Sequence, residues 1–151
     1  MSWDKMEDFL EMTAFVRSRI NKAPKFGIIL GTSLGGLADE IKNPISIPYD
    51  EIPGFPQSTA PSHAGLMISG ELAGRDVLCM SGRFHYYEGY SFSDLAKPIR
   101  LFKLLGVDTV IITNMASGIL PEDAPLSQVE EIGSSSVERL TKLVTAVLSE
   151  L

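Results

Sequence analysis

The sequence predicts an α/β fold, a compact mixed β-sheet flanked by helices, and three observations point to it. Short apolar runs at 26–30, 76–81 and 109–113 have strand length, and each ends in a loop of glycine or small polar residues. Segments with apolar residues at helical spacing alternate with those runs: 3–21, about 93–105, and the C-terminal tail. Two strands at 66–72 and 76–81, joined around Ala73-Gly74-Arg75, read as a hairpin. An antiparallel pair beside helix-connected strands makes the sheet mixed.

In the first helical segment, Phe9, Met12, Phe15, Val16 and Ile20 share a face, Ser2 or Asp4 can cap the start, and Pro24 ends it. The strand Phe26-Gly27-Ile28-Ile29-Leu30 runs into Gly31-Thr32-Ser33-Leu34-Gly35-Gly36, after which a helix is expected through about Ile41. Strand, glycine-rich turn and helix N-terminus together make a ready anion site, because backbone N–H groups turn outward and the helix dipole favours negative charge. The pattern is neither a Walker loop nor a clean dinucleotide fingerprint, so a plain tight turn accounts for it equally. Ile45-Ser46-Ile47 suggests a short strand. Prolines 48, 53, 56 and 61 with Gly54 and Gly65 then predict an ordered loop, and that loop carries His63. After 93 the apolar positions Leu95, Ile99, Phe102, Leu104 and Leu105 give a helix in which Pro98 predicts a kink or a late start, and Gly106 caps its end. The β-branched run Thr109-Val110-Ile111-Ile112-Thr113 predicts a central buried strand. Val137, Leu140, Leu143, Val144, Val147 and Leu148 form one stripe of a tail helix, read as core packing, with a weak point at Gly133 to Ser136.

At 151 residues a single domain is expected, able to bury about two-thirds of its surface without staples. Hydrophobic residues are 44% and charged residues 21%, a globular composition that excludes wholesale disorder. A net charge of −6 argues against a nucleic-acid partner, though a local anion site fits an acidic protein. The single Cys79 sits in an apolar run and cannot form an internal disulfide. No apolar stretch reaches membrane-spanning length, and the N-terminus does not read as a signal peptide, so a cytoplasmic location is expected.

The densest chemistry lies in residues 82–89, Gly-Arg-Phe-His-Tyr-Tyr-Glu-Gly, directly after the run Val77-Leu78-Cys79-Met80. Polar groups past the C-terminal end of a strand are where open α/β sheets take ligands. Arg83 suits a bidentate grip on phosphate, and a tyrosine offers ring and hydroxyl to a sugar or base. The same residues also fit an ordinary strand exit with an Arg–Glu surface pair.

These strand-end loops, together with His63, closely resemble the trimeric-type purine nucleoside phosphorylases of bacteria. The matching residues are Ile28 to Gly35, Ile52-Pro53-Gly54-Phe55-Pro56, His63-Ala64-Gly65, Gly82-Arg83-Phe84-His85 through Tyr87-Glu88-Gly89, and Thr113-Asn114. The resemblance implies phosphorolysis: inorganic phosphate attacks the anomeric carbon of a purine nucleoside and releases free base and ribose 1-phosphate. No cofactor or metal is implied beyond phosphate as co-substrate. It assigns phosphate to Thr32, Ser33, His63, Arg83, His85, Asn114 and Met115, ribose to Tyr87, and catalytic roles to His85 and Asn114. Ser33 stands where the family has a glycine.

The resemblance is continuous to Asn114, and from Met115-Ala116-Ser117-Gly118 onward it follows a second, similar loop and the terminal helix of the family. Residues 1–114 thus resemble the family's N-terminal part and 115–151 its C-terminal loop and helix, with an internal deletion between. The implied architecture is a truncated nucleoside-phosphorylase fold, with a flavodoxin-like layering if the 109–113 strand feeds the tail helix. The stretch missing between the two loops holds the family's base-binding glutamate, a ribose-side methionine with a phosphate-binding serine, and a phenylalanine lent by a neighbouring subunit. A histidine expected near the sugar appears as Gln128. Asn114 reads either as the phosphate-side asparagine or as the one that bonds the purine. The expected function is therefore a purine nucleoside phosphorylase by descent with weak or absent turnover. The alternative is a non-catalytic scaffold with at most a phosphate site, and homo-oligomers through surface exposed by the deletion are a further expectation.

Overall fold

The central strand of the sheet is its most apolar one. In the computed structural model, which describes residues 6–31, 33–57, 65–114 and 126–151, β1 (Phe26–Leu30) is buried along its whole length. It pairs in parallel with β4 (Arg75–Ser81) on one side and with β5 (Thr109–Ile112) on the other. β3 (Leu66–Leu72) pairs antiparallel with β4, and β2 (Lys42–Pro48) antiparallel with β3, giving the order β2-β3-β4-β1-β5. The sheet is mixed, with flanking helices, as expected. The hairpin turn places Ala73 and Gly74 at φ 52° and 76°, both left-handed, which matches the twist of the two strands it joins.

One face of the sheet is covered by α1 (Met6–Arg19) and α2 (Phe92–Leu105). Met12, Val16, Leu101, Phe102 and Leu105 pack there on Ile29, Leu78 and Met80. The other face is covered by α4 (Val137–Glu150), whose Val144 and Leu148 meet Ile28, Leu30 and Cys79. The odd and even residues of β1 thus feed two separate cores, which is why the strand shows no polar alternation. Burial pushes the Cys79 thiol up to about 12, leaving it a protonated core group. Among the described residues no helix is long and apolar enough to cross a membrane.

Several expectations are corrected. Residues 35–40 form a 3₁₀ helix, Gly35–Glu40, in place of an α-helix, because two glycines open it and β2 begins two residues after its end. β2 is longer than the predicted 45–47 and carries a register shift between Lys42 and Ile45. α2 runs unbroken through Pro98. It starts at a Ser91–Asp94 capping box, and Gly106 closes it at φ 107°. The run at 109–113 is not central: β5 is an edge strand, with Val110 36% and Ile112 61% exposed. Its sequence reads as buried because β-branched residues are chosen for a sheet interior, yet among the described residues only β1 pairs with it. The tail breaks at Ser136 into α3 (Leu126–Ser135) and α4, at the weak point expected between Gly133 and Ser136. Half its stripe stays outside the core, with Leu143 62% and Val147 40% exposed.

Candidate phosphate site at the parallel strand ends

Parallel pairing puts three loops on one edge. Leu30 is in register with Ser81, and Ile29 with Ile112, so the chain leaves β1, β4 and β5 at the same end. The Gly31 turn and the β5 exit are stitched together. The Thr113 N–H donates to the Ile29 carbonyl at 2.9 Å, and its hydroxyl donates to the same carbonyl at 3.1 Å while accepting the Gly31 N–H at 3.0 Å. A Cβ on Gly31 would lie 3.0 Å from the Asn114 Cα and from the Thr113 carbonyl oxygen, so glycine allows this close approach. Asn114 is therefore held beside the glycine turn, with its side chain exposed.

Ser33 adopts φ 61°, the left-handed region that costs a residue with a Cβ about 1–2 kcal/mol. A serine here holds a conformation that a glycine adopts freely, at the cost of local strain. Ser33→Gly is expected to raise stability by about 1 kcal/mol, read as a higher denaturant midpoint at unchanged slope. An unchanged or lower midpoint contradicts the strain.

The β4 exit turns at Gly82, φ 110°, and the half-buried Arg83 follows. Its Nε is buried and has no hydrogen-bond partner among the described residues. A buried guanidinium N–H left unmatched costs stability and is suited to an anion. His85 opens a short 3₁₀ turn, Tyr86–Glu88. Its backbone N–H donates to Glu88 Oε2 at 2.7 Å, and its ring stacks on Tyr87 at 4.8 Å and 12°. Glu88 thus serves the turn, which corrects the simple Arg–Glu surface pairing. Tyr87, 77% exposed, presents a ring face beside the histidine. Downstream, hydrogen bonds from Ser91 and then Lys97 hold the Asp94 carboxyl below its usual range, and they fix the start of α2.

The structure thus brings Ser33, Arg83, His85, Tyr87 and Asn114 to one edge of the sheet. Thr32, His63 and Met115 lie outside the described residues. Two supporting groups have no signature in the sequence. The Thr113-Asn114 pair gives no local sign of the Thr113 hydroxyl bonds, which depend on sheet register. Tyr49, Phe55, Phe84 and Tyr90 form an aromatic cluster under the Arg83 loop, with centroids 5.1–5.7 Å apart. No local periodicity reports such a cluster.

Comparisons with known proteins agree with this fold. The family model of the phosphorylase superfamily matches residues 25–129. Purine nucleoside phosphorylase 1 of Bacillus subtilis is 48% identical over 118 residues, 78% of this chain and 44% of the relative. A crystal structure of Schistosoma mansoni purine nucleoside phosphorylase in complex with adenosine superposes with a TM-score of 0.69 at 45% identity, covering 76% of this chain and 39% of that one. Isoform 2 from the same organism, in complex with cytosine and ribose-1-phosphate, gives 0.69 at 43% identity, covering 75% and 40%. The chain spans less than half the length of these relatives.

Proposed function

Because this chain belongs to the phosphorylase superfamily, we propose that it is a shortened purine nucleoside phosphorylase whose strand-end loops still hold phosphate while nucleoside turnover is weak or absent. The observation that carries this reading is the buried, unmatched Arg83 Nε at the exit of β4, where three loops share one edge. Thr32, Ser33, His63, Arg83 and His85 are assigned to phosphate, with Asn114 and Met115 beside them and Tyr87 on the ribose. Close approach of Asn114 to the glycine turn favours its phosphate-side role. The reaction forms a bond from a phosphate oxygen to the anomeric carbon and breaks that carbon's bond to the purine, which leaves with the electron pair. Phosphate alone serves as co-substrate, without a metal or cofactor. His85 and Asn114 are the catalytic candidates. Positioning of both substrates supplies about 7–11 kcal/mol of such a barrier. A chain without the purine-side groups of its relatives is expected to lose most of it. We read residues 1–114 and 115–151 as two family segments joined in one domain, in a cytoplasmic setting consistent with the buried free Cys79.

Calorimetric titration of inorganic phosphate into the protein tests the site. Saturable binding, with a melting temperature that rises with phosphate, is expected. A cooperative fold that binds no phosphate would leave the scaffold reading in its place.

A second reading, self-association, has its own observation. The outer edge of β5 is unpaired among the described residues and carries no charge or proline over Thr109–Ile112. Beside it lies an open groove of about 560 Å³ lined by Ile111, Leu140, Leu143 and Val147. Such an edge invites strand pairing, and antiparallel pairing with a second copy about a two-fold axis needs no other sequence. Sedimentation is expected to show a dimer that Ile112→Lys converts to monomer. A strict monomer at high concentration rejects it.

A further inference from the structure

We infer that Tyr49 is a positioning residue that holds the Arg83 loop in its anion-binding geometry. The inference rests on the phosphate site proposed above. Tyr49 opens a single 3₁₀ turn directly after β2 and is 2% exposed. It touches the site segments in three ways. Its hydroxyl donates to the Gly82 carbonyl at 2.7 Å. Its ring meets Phe84 at 5.4 Å and Phe55 at 5.1 Å. Its backbone N–H donates to the Gly65 carbonyl at 2.9 Å. Gly82 and Phe84 are the residues on either side of Arg83, so one side chain holds both flanks of the arginine, one through its hydroxyl and one through its ring. The bond to Gly65 also fixes the residue that leads into β3.

The geometry explains why a hydroxyl is placed in a core. A phenylalanine would fill the same volume, and the donor's acceptor is the carbonyl of a left-handed glycine, a flexible position that needs an external tie. Burial pushes the hydroxyl far above the ordinary tyrosine range, which favours its protonated, donating form. Tyr90 braces the far end of the same loop. Its hydroxyl donates to the Gln57 carbonyl and accepts the Gln57 N–H, without touching either neighbour of Arg83 through a hydrogen bond.

Tyr49→Phe keeps the ring and removes the tie. Two measurements separate this inference from the reading beneath it. Titration with inorganic phosphate is expected to give about tenfold weaker binding for Tyr49→Phe, an unchanged value for Tyr90→Phe, and a double variant with Arg83→Ala no weaker than Arg83→Ala alone. Without phosphate, the Arg83 Nε–Hε resonance is expected to exchange with solvent faster and to lose order in Tyr49→Phe but not in Tyr90→Phe. Phe84→Leu, with the hydroxyl kept, is expected to loosen the same resonance from the other flank, and it stands in if Tyr49→Phe fails to fold. An Arg83 resonance unchanged in Tyr49→Phe and Phe84→Leu, at native stability, overturns the role of Tyr49. Absence of phosphate binding in the unmodified protein overturns the phosphate reading, while the resonance still decides the positioning.

Discussion

Arg83→Ala is expected to weaken phosphate binding about 10- to 100-fold and to leave the fold intact. A hydrogen bond to a charged group contributes roughly 1.5–3 kcal/mol, which is the source of that range. The Arg83 side chain is half-buried, and its Nε finds no protein partner among the described residues. Most charged groups in such a position are matched within the fold, because burying an unmatched donor is costly. Removing this one therefore costs the ligand-free protein little, and its melting temperature should hold or rise. The phosphate-dependent rise in melting temperature, which follows mass action, should shrink in step with the lost affinity. Arg83→Lys separates charge from shape: it keeps the positive charge and loses the planar fork, so an intermediate affinity is expected. Equal phosphate affinity in Arg83→Ala and the unmodified protein would remove Arg83 from the site. A large drop in ligand-free stability would instead assign it to the fold.

Gly27→Ala is expected to be the most damaging single methyl addition on the central strand, costing about 3 kcal/mol. A Cβ at this position would lie 2.4 Å from Cδ2 and 2.5 Å from Cε2 of Phe102, and 3.2 Å from a Val107 methyl. Neither side can yield easily. Phe102 is 1% exposed and enclosed by the α1–α2 core. Gly27 belongs to β1, whose backbone is fixed on both sides by Leu78 and Val110 in register. Overpacking a tight core costs about 1–3 kcal/mol and sometimes more, and a strand clamped on both edges belongs at the upper end. For a chain of this size that is a fall of roughly 6–12 °C in melting temperature. Phe102→Leu in the Gly27→Ala background should recover part of the loss, since it removes the clashing ring edge. A melting temperature within a degree or two of the unmodified protein would mean that the α2–sheet packing is looser than the structure shows.

The sequence by itself determined most of the element types and named the candidate site residues. The β-branched and apolar runs at 26–30 and 76–81, the Gly106 terminus and the Ala73-Gly74 turn are local signals. They report local conformational preference, and each formed as expected. The residues of the Gly31 and Arg83 loops were also legible, because their crowding past strand ends is visible in one dimension. Tertiary structure alone decided which strands became neighbours. Only strand order and register place Gly31 against Asn114, route the Thr113 hydroxyl between Ile29 and Gly31, and carry Tyr49 to both neighbours of Arg83. The same step made β5 an edge, although its residues are those of a sheet interior. Hydrophobic pattern records what a strand is fit to bury, whereas burial depends on whether a neighbour is present to cover it.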